Sequence, residues 1–170
     1  MRLEGDDWKA FFDAFRNDAF RLETLPAYGV PEEDVEFREW RKTGRLDVPP
    51  DDPWFVRVRH FRATGRTIGR VRVLTRPLTE YQRFQFAFYP LSSAAGEDIR
   101  ILDVTDVENP VSGVQDFWLF DDSRVVLMHY LEDGTQSGRE LLEQIDPAPF
   151  VEYKHRALAL SVPFLEYLRA

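Results

Sequence analysis

Residues 67–102 read TIGRVRVLTRPLTEYQRFQFAFYPLSSAAGEDIRIL, and their pattern decides the fold class. From Thr67 the apolar residues Ile68, Val71 and Val73 are separated by Gly69, Arg70 and Arg72, the short period of a half-buried strand. Pro77 closes that strand and opens a helix through Leu78, Tyr81, Phe84 and Phe88, whose spacing keeps one apolar face. After Gly96, Asp98-Ile99-Arg100-Ile101-Leu102 returns to a short strand. Strand, helix and strand in so short a stretch form a βαβ unit, which should be right-handed with its two strands parallel.

Downstream the signals change to those of hairpins. Phe117-Trp118-Leu119-Phe120 is followed by the turn residues Asp121-Asp122-Ser123, then by Val125-Val126-Leu127-Met128-His129-Tyr130 and Asp133-Gly134. Turn residues between apolar runs predict an antiparallel meander ending near Glu143. A helix from about Pro147 to the end carries Phe150, Tyr153, Ala157, Leu160, Phe164 and Leu168, with Pro163 as a kink. Upstream, Trp8, Phe11, Phe12, Phe15 and Phe20 predict an amphipathic helix over Asp6–Phe20, capped by Asp6 or Asp7. A short helix after Pro31, with Phe37 and Trp40 inward, ends at Gly44. Asp52-Pro53-Trp54 opens another helix that runs to Gly65, although the alternation Phe55-Val56-Arg57-Val58-Arg59 also fits a strand. The expectation is a single α/β domain of mixed α+β character: helices over 1–65, a mixed sheet of about five strands with one crossover helix over 66–145, and a terminal helix over 146–170.

The 170 residues are enough to bury one sizeable core, and a chain 44% hydrophobic and 14% aromatic has the side chains to fill it. Cysteine is absent, which excludes disulfides, thiolate metal sites and cysteine nucleophiles and suits a cytoplasmic location. No stretch approaches the roughly 18–20 apolar residues of a membrane span. A net charge of −8 argues against broad capture of nucleic acid or anionic membrane. The sign is uneven, however: between Asp52 and Glu80 no acidic residue occurs, whereas Arg57, Arg59, Arg62, Arg66, Arg70, Arg72 and Arg76 do. Guanidinium groups so clustered either fork onto phosphate or carboxylate oxygens of a ligand or are neutralised by acids elsewhere on this chain or on a partner. Arg70, Arg72 and Arg100, each on a strand of the βαβ unit, are the candidate contacts for a small anionic ligand or a partner protein.

Catalytic signals are sparse. His60, His129 and His155 lack the spacing of metal or nucleophile motifs, and the scattered glycines form no phosphate loop, so no metal and no cofactor are expected. His129 on its strand, oriented by Asp121 or Asp122 and helped by Arg72 or Arg100, is the one arrangement that would make a hydrolase or phosphoryl-transfer site. Adjacent carboxylates on a strand face opposite ways, which favours a turn role for Asp121 and Asp122; the pair Glu97 and Asp98 is subject to the same argument.

Several blocks together cover nearly the whole chain: Phe20-Arg21-Leu22-Glu23-Thr24-Leu25, Arg70-Val71-Arg72-Val73 followed by Pro77-Leu78 and Tyr81, Ala95-Gly96-Glu97-Asp98-Ile99-Arg100-Ile101-Leu102, and Asp116-Phe117-Trp118-Leu119-Phe120-Asp121-Asp122 leading to His129-Tyr130. In these the chain resembles a family of short actinobacterial domains of unknown function encoded beside helix-turn-helix regulators. The order of the later blocks is also similar to phospholipase-D-like domains, whose active members need a His-x-Lys pair. Here the three histidines are followed two residues later by Arg62, Leu131 and Ala157, so that pair is missing. The resemblance implies a non-enzymatic regulatory module acting with a helix-turn-helix partner through a sheet edge or charged groove, with a cryptic phosphodiesterase-like hydrolase or anion sensor as the alternative. Apolar residues available for an interface leave room for a homodimer.

Overall fold

The computed structural model describes residues 1–170, all of the chain. In chain order the elements are α1 (Gly5–Asp13), β1 (Asp18–Glu23), a 3-10 turn (Pro31–Glu33), α2 (Asp34–Thr43), α3 (Pro53–Ala63), β2 (Thr67–Leu74), α4 (Glu80–Ala95) and β3 (Asp98–Asp103). They continue with β4 (Phe117–Phe120), β5 (Arg124–Tyr130), β6 (Gln136–Leu141), α5 (Ala148–Leu160), β7 (Val162–Pro163) and α6 (Phe164–Tyr167). One seven-stranded mixed sheet runs in the order β6-β5-β4-β1-β2-β3-β7.

The expected βαβ unit is β2-α4-β3, with its strands parallel, and the expected meander is β4-β5-β6. Local chemistry starts α3 where the sequence predicts, whereas α1 begins at Gly5 after Glu4 and is capped by neither Asp6 nor Asp7. The Asp52 carboxylate accepts from the Trp54 amide at 3.0 Å, and Pro53 occupies the first turn of α3, which settles that segment as helix. A reciprocal capping box between Thr79 and Gln82 starts α4 three residues after Pro77.

The sheet has seven strands, not about five, and the largest difference lies in the part expected to be helical. Helix α1 stops at Asp13, and Asp18–Glu23 becomes the central strand, parallel to β2 and antiparallel to β4. Its charged residues Arg21 and Glu23 alternate with Phe20 and Leu22, the two-residue period of a strand whose faces have different partners. At the other end, Pro163 does not kink a continuous helix. It ends a two-residue strand beside Arg100 and Ile101, because the extended backbone of Ser161 breaks α5.

Both faces of the sheet are covered. One carries Ala19, Ile68, Trp118, Phe120, Val126 and Met128 under α1 and α3. The other carries Phe20, Leu22, Val71, Val73, Leu102, Phe117, Leu119 and Val125 against Ala157 of α5 and Val111. Burial from both sides explains why Phe117–Phe120 is apolar without alternation. The exposed edge of β6 is occupied by the first residues of the chain, through the amide of Leu3 on Arg139 and the amide of Leu141 on Met1. At the other edge of the sheet the two residues of β7 pair only with Arg100 and Ile101 of β3.

Candidate functional site

Side chains alternate along β1 and β2, and the pairing aligns Arg21 with Arg70 and Glu23 with Arg72. All four therefore point to the face covered by α1, α3 and α4, where water is excluded and each charge needs a partner. Glu23 accepts from Arg70 Nη1 at 2.7 Å and Gln85 Nε2 at 3.2 Å, with Arg21 and Arg72 each at 3.9 Å. Arg70 also donates through Nε to Glu97 at 2.5 Å, and Glu97 accepts from the Ser92 hydroxyl and the Trp54 indole. Arg72, fully buried, donates to Gln85 at 2.9 Å and to the carbonyl of Leu25. Arg21 reaches the Tyr130 hydroxyl at 2.7 Å and Asp116 at 3.4 Å. Asp116 in turn accepts from the Tyr28 hydroxyl and from the amide and hydroxyl of Thr24.

Three guanidiniums thus meet three carboxylates. Burial pushes the Glu23 carboxyl up, but Arg70, Arg21 and Arg72 together outweigh burial and hold it below its ordinary range. Against the opposing effect of burial, Glu97 and Glu23 raise Arg70 above the ordinary guanidinium range, and Tyr28 and Tyr89, followed by Glu23 and Asp116, raise Arg72. The cluster is electrically closed on itself.

Beside it lies a cavity of about 380 Å³ between the sheet and the covering elements. Its walls are aromatic, with Trp8, Phe12, Trp54, Phe84, Phe88, Tyr89, Trp118 and Tyr130. Its polar lining includes Arg57, Arg70, Gln85, Gln136 and Arg139, and Glu32, Glu33 and Glu36 come from the turn and α2. Four buried side-chain polar atoms in the protein have no hydrogen-bond partner, and three of them, the Tyr89 hydroxyl, Gln136 Nε2 and Arg139 Nε, belong to residues that line this cavity. Buried polar atoms without partners are rare in folded proteins and require an explanation. A more open groove of about 760 Å³ at the carboxyl end of β1, lined by Thr24, Gln115, His129 and Asp133 among others, has no such residue.

The residues singled out from sequence are scattered. Arg70 lines the cavity and Arg72 lies in the ion cluster, both facing inward, so β2 is an interior strand and not a surface one. Arg100 pairs in register with Val71 and faces the opposite side of the sheet, where it donates to the hydroxyl and carbonyl of Ser161. His129 also faces that side, with Nε2 2.8 Å from Glu140 and Nδ1 3.2 Å from Gln115. Asp121 and Asp122 sit beyond the other end of β5 in left-handed turn conformations, with φ of 53° and 50°. Asp121 accepts the amides of Arg16, Asn17 and Asp18, which ties the start of β1 to the β4–β5 turn, and Asp122 pairs with Lys154. The structure does not bring His129, Asp121, Asp122, Arg72 and Arg100 together. No group of His, Asp and Glu is gathered as a metal ligand set.

Four of the seven arginines of the Arg-rich segment find counter-charges within the chain: Arg57 on Asp13, Arg70 on Glu23 and Glu97, Arg72 on Glu23, and Arg76 on Asp103. Sequence reasoning missed Glu23, Asp116, Gln136 and Arg139. The alternation Arg21-Leu22-Glu23 was the available signal for the first; Gln136 and Arg139 carry none, because only the packing of β6 beside Trp8 brings them to the cavity.

No curated protein matches the chain. A family model described as Domain of unknown function (DUF6879) matches residues 6–169, nearly its whole length, and the chain belongs to that family.

Proposed function

We propose that this chain is a non-enzymatic binding module that takes a small, largely apolar or aromatic ligand into the cavity under α1, α3 and α4. The observation that carries this reading is the concentration of partnerless buried polar atoms on residues lining one aromatic cavity. Ligand sites have this make-up, an apolar wall with a few polar groups that fix orientation. Of the partners a hydrolase built on His129 would draw on, Asp121 and Asp122 lie at the other end of β5, Arg72 lies on the other face of the sheet, and Arg100, on the same face, is held by Ser161. That separation favours binding over catalysis.

The regulatory role and the helix-turn-helix partner implied by the family resemblance complete the proposal: the ligand is the signal and the regulator the recipient. The lining of the cavity supports such a coupling. Val30, Glu33 and Glu36 contribute to its lining, while Phe37 and Trp40 of α2 pack on Phe84 at centroid distances of 5.0 and 5.8 Å. An occupant touching the turn or α2 would therefore act on a helix whose outer side faces solvent.

The test is ligand-observed NMR with phenylpropanol, a neutral aromatic probe, on the native chain and on Val48→Trp, which places a large ring at a cavity-lining position. Saturable binding that is lost in the folded variant is the expected result. Absence of binding to the native chain, or binding that survives the filled cavity, would overturn the reading.

A further inference from the structure

The cavity has two kinds of cation. Arg70 is held by two carboxylates, so its charge is already answered. Arg139 is in no ion pair: its Nη2 donates to Gln136 Oε1 at 3.2 Å, its Nε is buried without a partner, and its guanidinium lies 5.1 Å from the ring centroid of Trp8. Gln136 uses its oxygen on Arg139, and its amide nitrogen is likewise buried without a partner. Two neighbouring side chains on β6 thus hold two unused donors, one of them on an uncompensated cation, beside an aromatic wall.

Resting on the binding reading above, we infer that the ligand is an organic carboxylate whose oxygens take the free donors of Arg139 and Gln136 and whose apolar or aromatic body lies against Trp8, Trp118 and Met128. A carboxylate has two acceptor oxygens with room for several hydrogen bonds, so one group can satisfy both donors while cancelling the charge. A neutral carbonyl satisfies a donor but leaves the half-buried guanidinium unpaired, where an unanswered charge costs more than it does in water. Burial already holds Arg139 below the ordinary guanidinium range, the direction expected of a cation lacking a close counter-ion. None of the carboxylates that also line the cavity, Glu32, Glu33, Glu36 and Asp52, forms an ion pair with Arg139. Glu33 is engaged by the Tyr81 hydroxyl at 2.7 Å, Asp52 by the Trp54 amide, and Glu32 is exposed to solvent, which screens it. The third unused group, the hydroxyl of Tyr89, comes from α4 and is available to a second polar atom on the ligand.

Three probes with one aromatic body separate the possibilities: phenylpropionate, phenylpropanol and phenylpropylamine, titrated calorimetrically against the native chain. The expected order is carboxylate tightest and amine weakest, with the carboxylate favoured over the alcohol by about tenfold. In Arg139→Met and in Gln136→Leu that preference should shrink while the alcohol still binds. If all three probes fail to bind, the cavity reading itself falls. If the alcohol or the amine binds at least as well as the carboxylate, the cavity reading stands and the assignment of a carboxylate is overturned. Should either variant not fold, the order of the three probes on the native chain decides the matter alone.

Discussion

Replacing Glu23 by Gln removes one negative charge from the buried cluster while keeping shape and volume. Arg70 retains Glu97, but Arg72, fully buried, loses the only carboxylate with which it pairs, which lies 3.9 Å away. Breaking a buried pair by neutralising one partner costs about 3–5 kcal/mol, because the other charge is left desolvated and unanswered. With an unfolding entropy of about 2.1 cal/mol/K per residue, a chain of this length loses about 2.8 °C per kcal/mol, so the midpoint should fall by roughly 8–14 °C. The assay is thermal unfolding followed by circular dichroism at neutral pH, in low salt and in about 1 M salt; a buried pair is little screened, so the gap should persist. Acid gives a second check. The Glu23 carboxyl is depressed from its ordinary value of 4.5, so it contributes stability above that pH and loses the contribution as pH falls through its lower native value. The gap between native chain and variant should therefore be constant above pH 4.5 and narrow below it. Adding Arg72→Met to Glu23→Gln should recover part of the loss, since the stranded charge is then gone. A loss under about 1 kcal/mol, the scale of an exposed pair, would refute the claim that these charges hold one another in the interior.

Trp118→Ala should lower unfolding stability by roughly 3–5 kcal/mol in urea titration, since the indole is buried and meets Phe12 edge-on at a centroid distance of 4.7 Å. A near-neutral result would mean that the helix-covered face repacks without it. His129→Ala should change stability by less than about 1 kcal/mol and leave phenylpropanol binding unaltered, because its partner Glu140 is half-exposed and both lie on the far side of the sheet from the cavity. A loss of binding in that variant would tie the two faces together and reopen the case for a site built on His129.

Much of the architecture was legible because it rests on local chemistry. The Asp52-Pro53 cap and the Asp121-Asp122 turn are each decided within four residues, so sequence is sufficient to place α3 and the β4–β5 hairpin. The strand β1 was not legible in the same way. Its aromatic Phe20 continues the apolar spacing of the helix before it, and only pairing with β2 and β4, distant in sequence, gives its charged residues a place. For the same reason Arg70 and Arg72 read as outer positions of a strand: a guanidinium implies water unless a carboxylate from elsewhere is already aimed at it.

By itself the sequence determined that this chain folds as a mixed α/β domain with an aromatic core, and that its positive charge is concentrated in one segment. The tertiary structure decided where that charge faces. Register between β1 and β2 sets Arg21, Glu23, Arg70 and Arg72 side by side on the covered face, while β3 turns Arg100 to the other. It also decided that the unanswered polar groups collect around one cavity, beside Arg139 and Gln136, residues that no local pattern distinguishes. The physical reason is range: caps and turns are satisfied by neighbours along the chain, whereas buried charges are satisfied only by groups that folding brings to them.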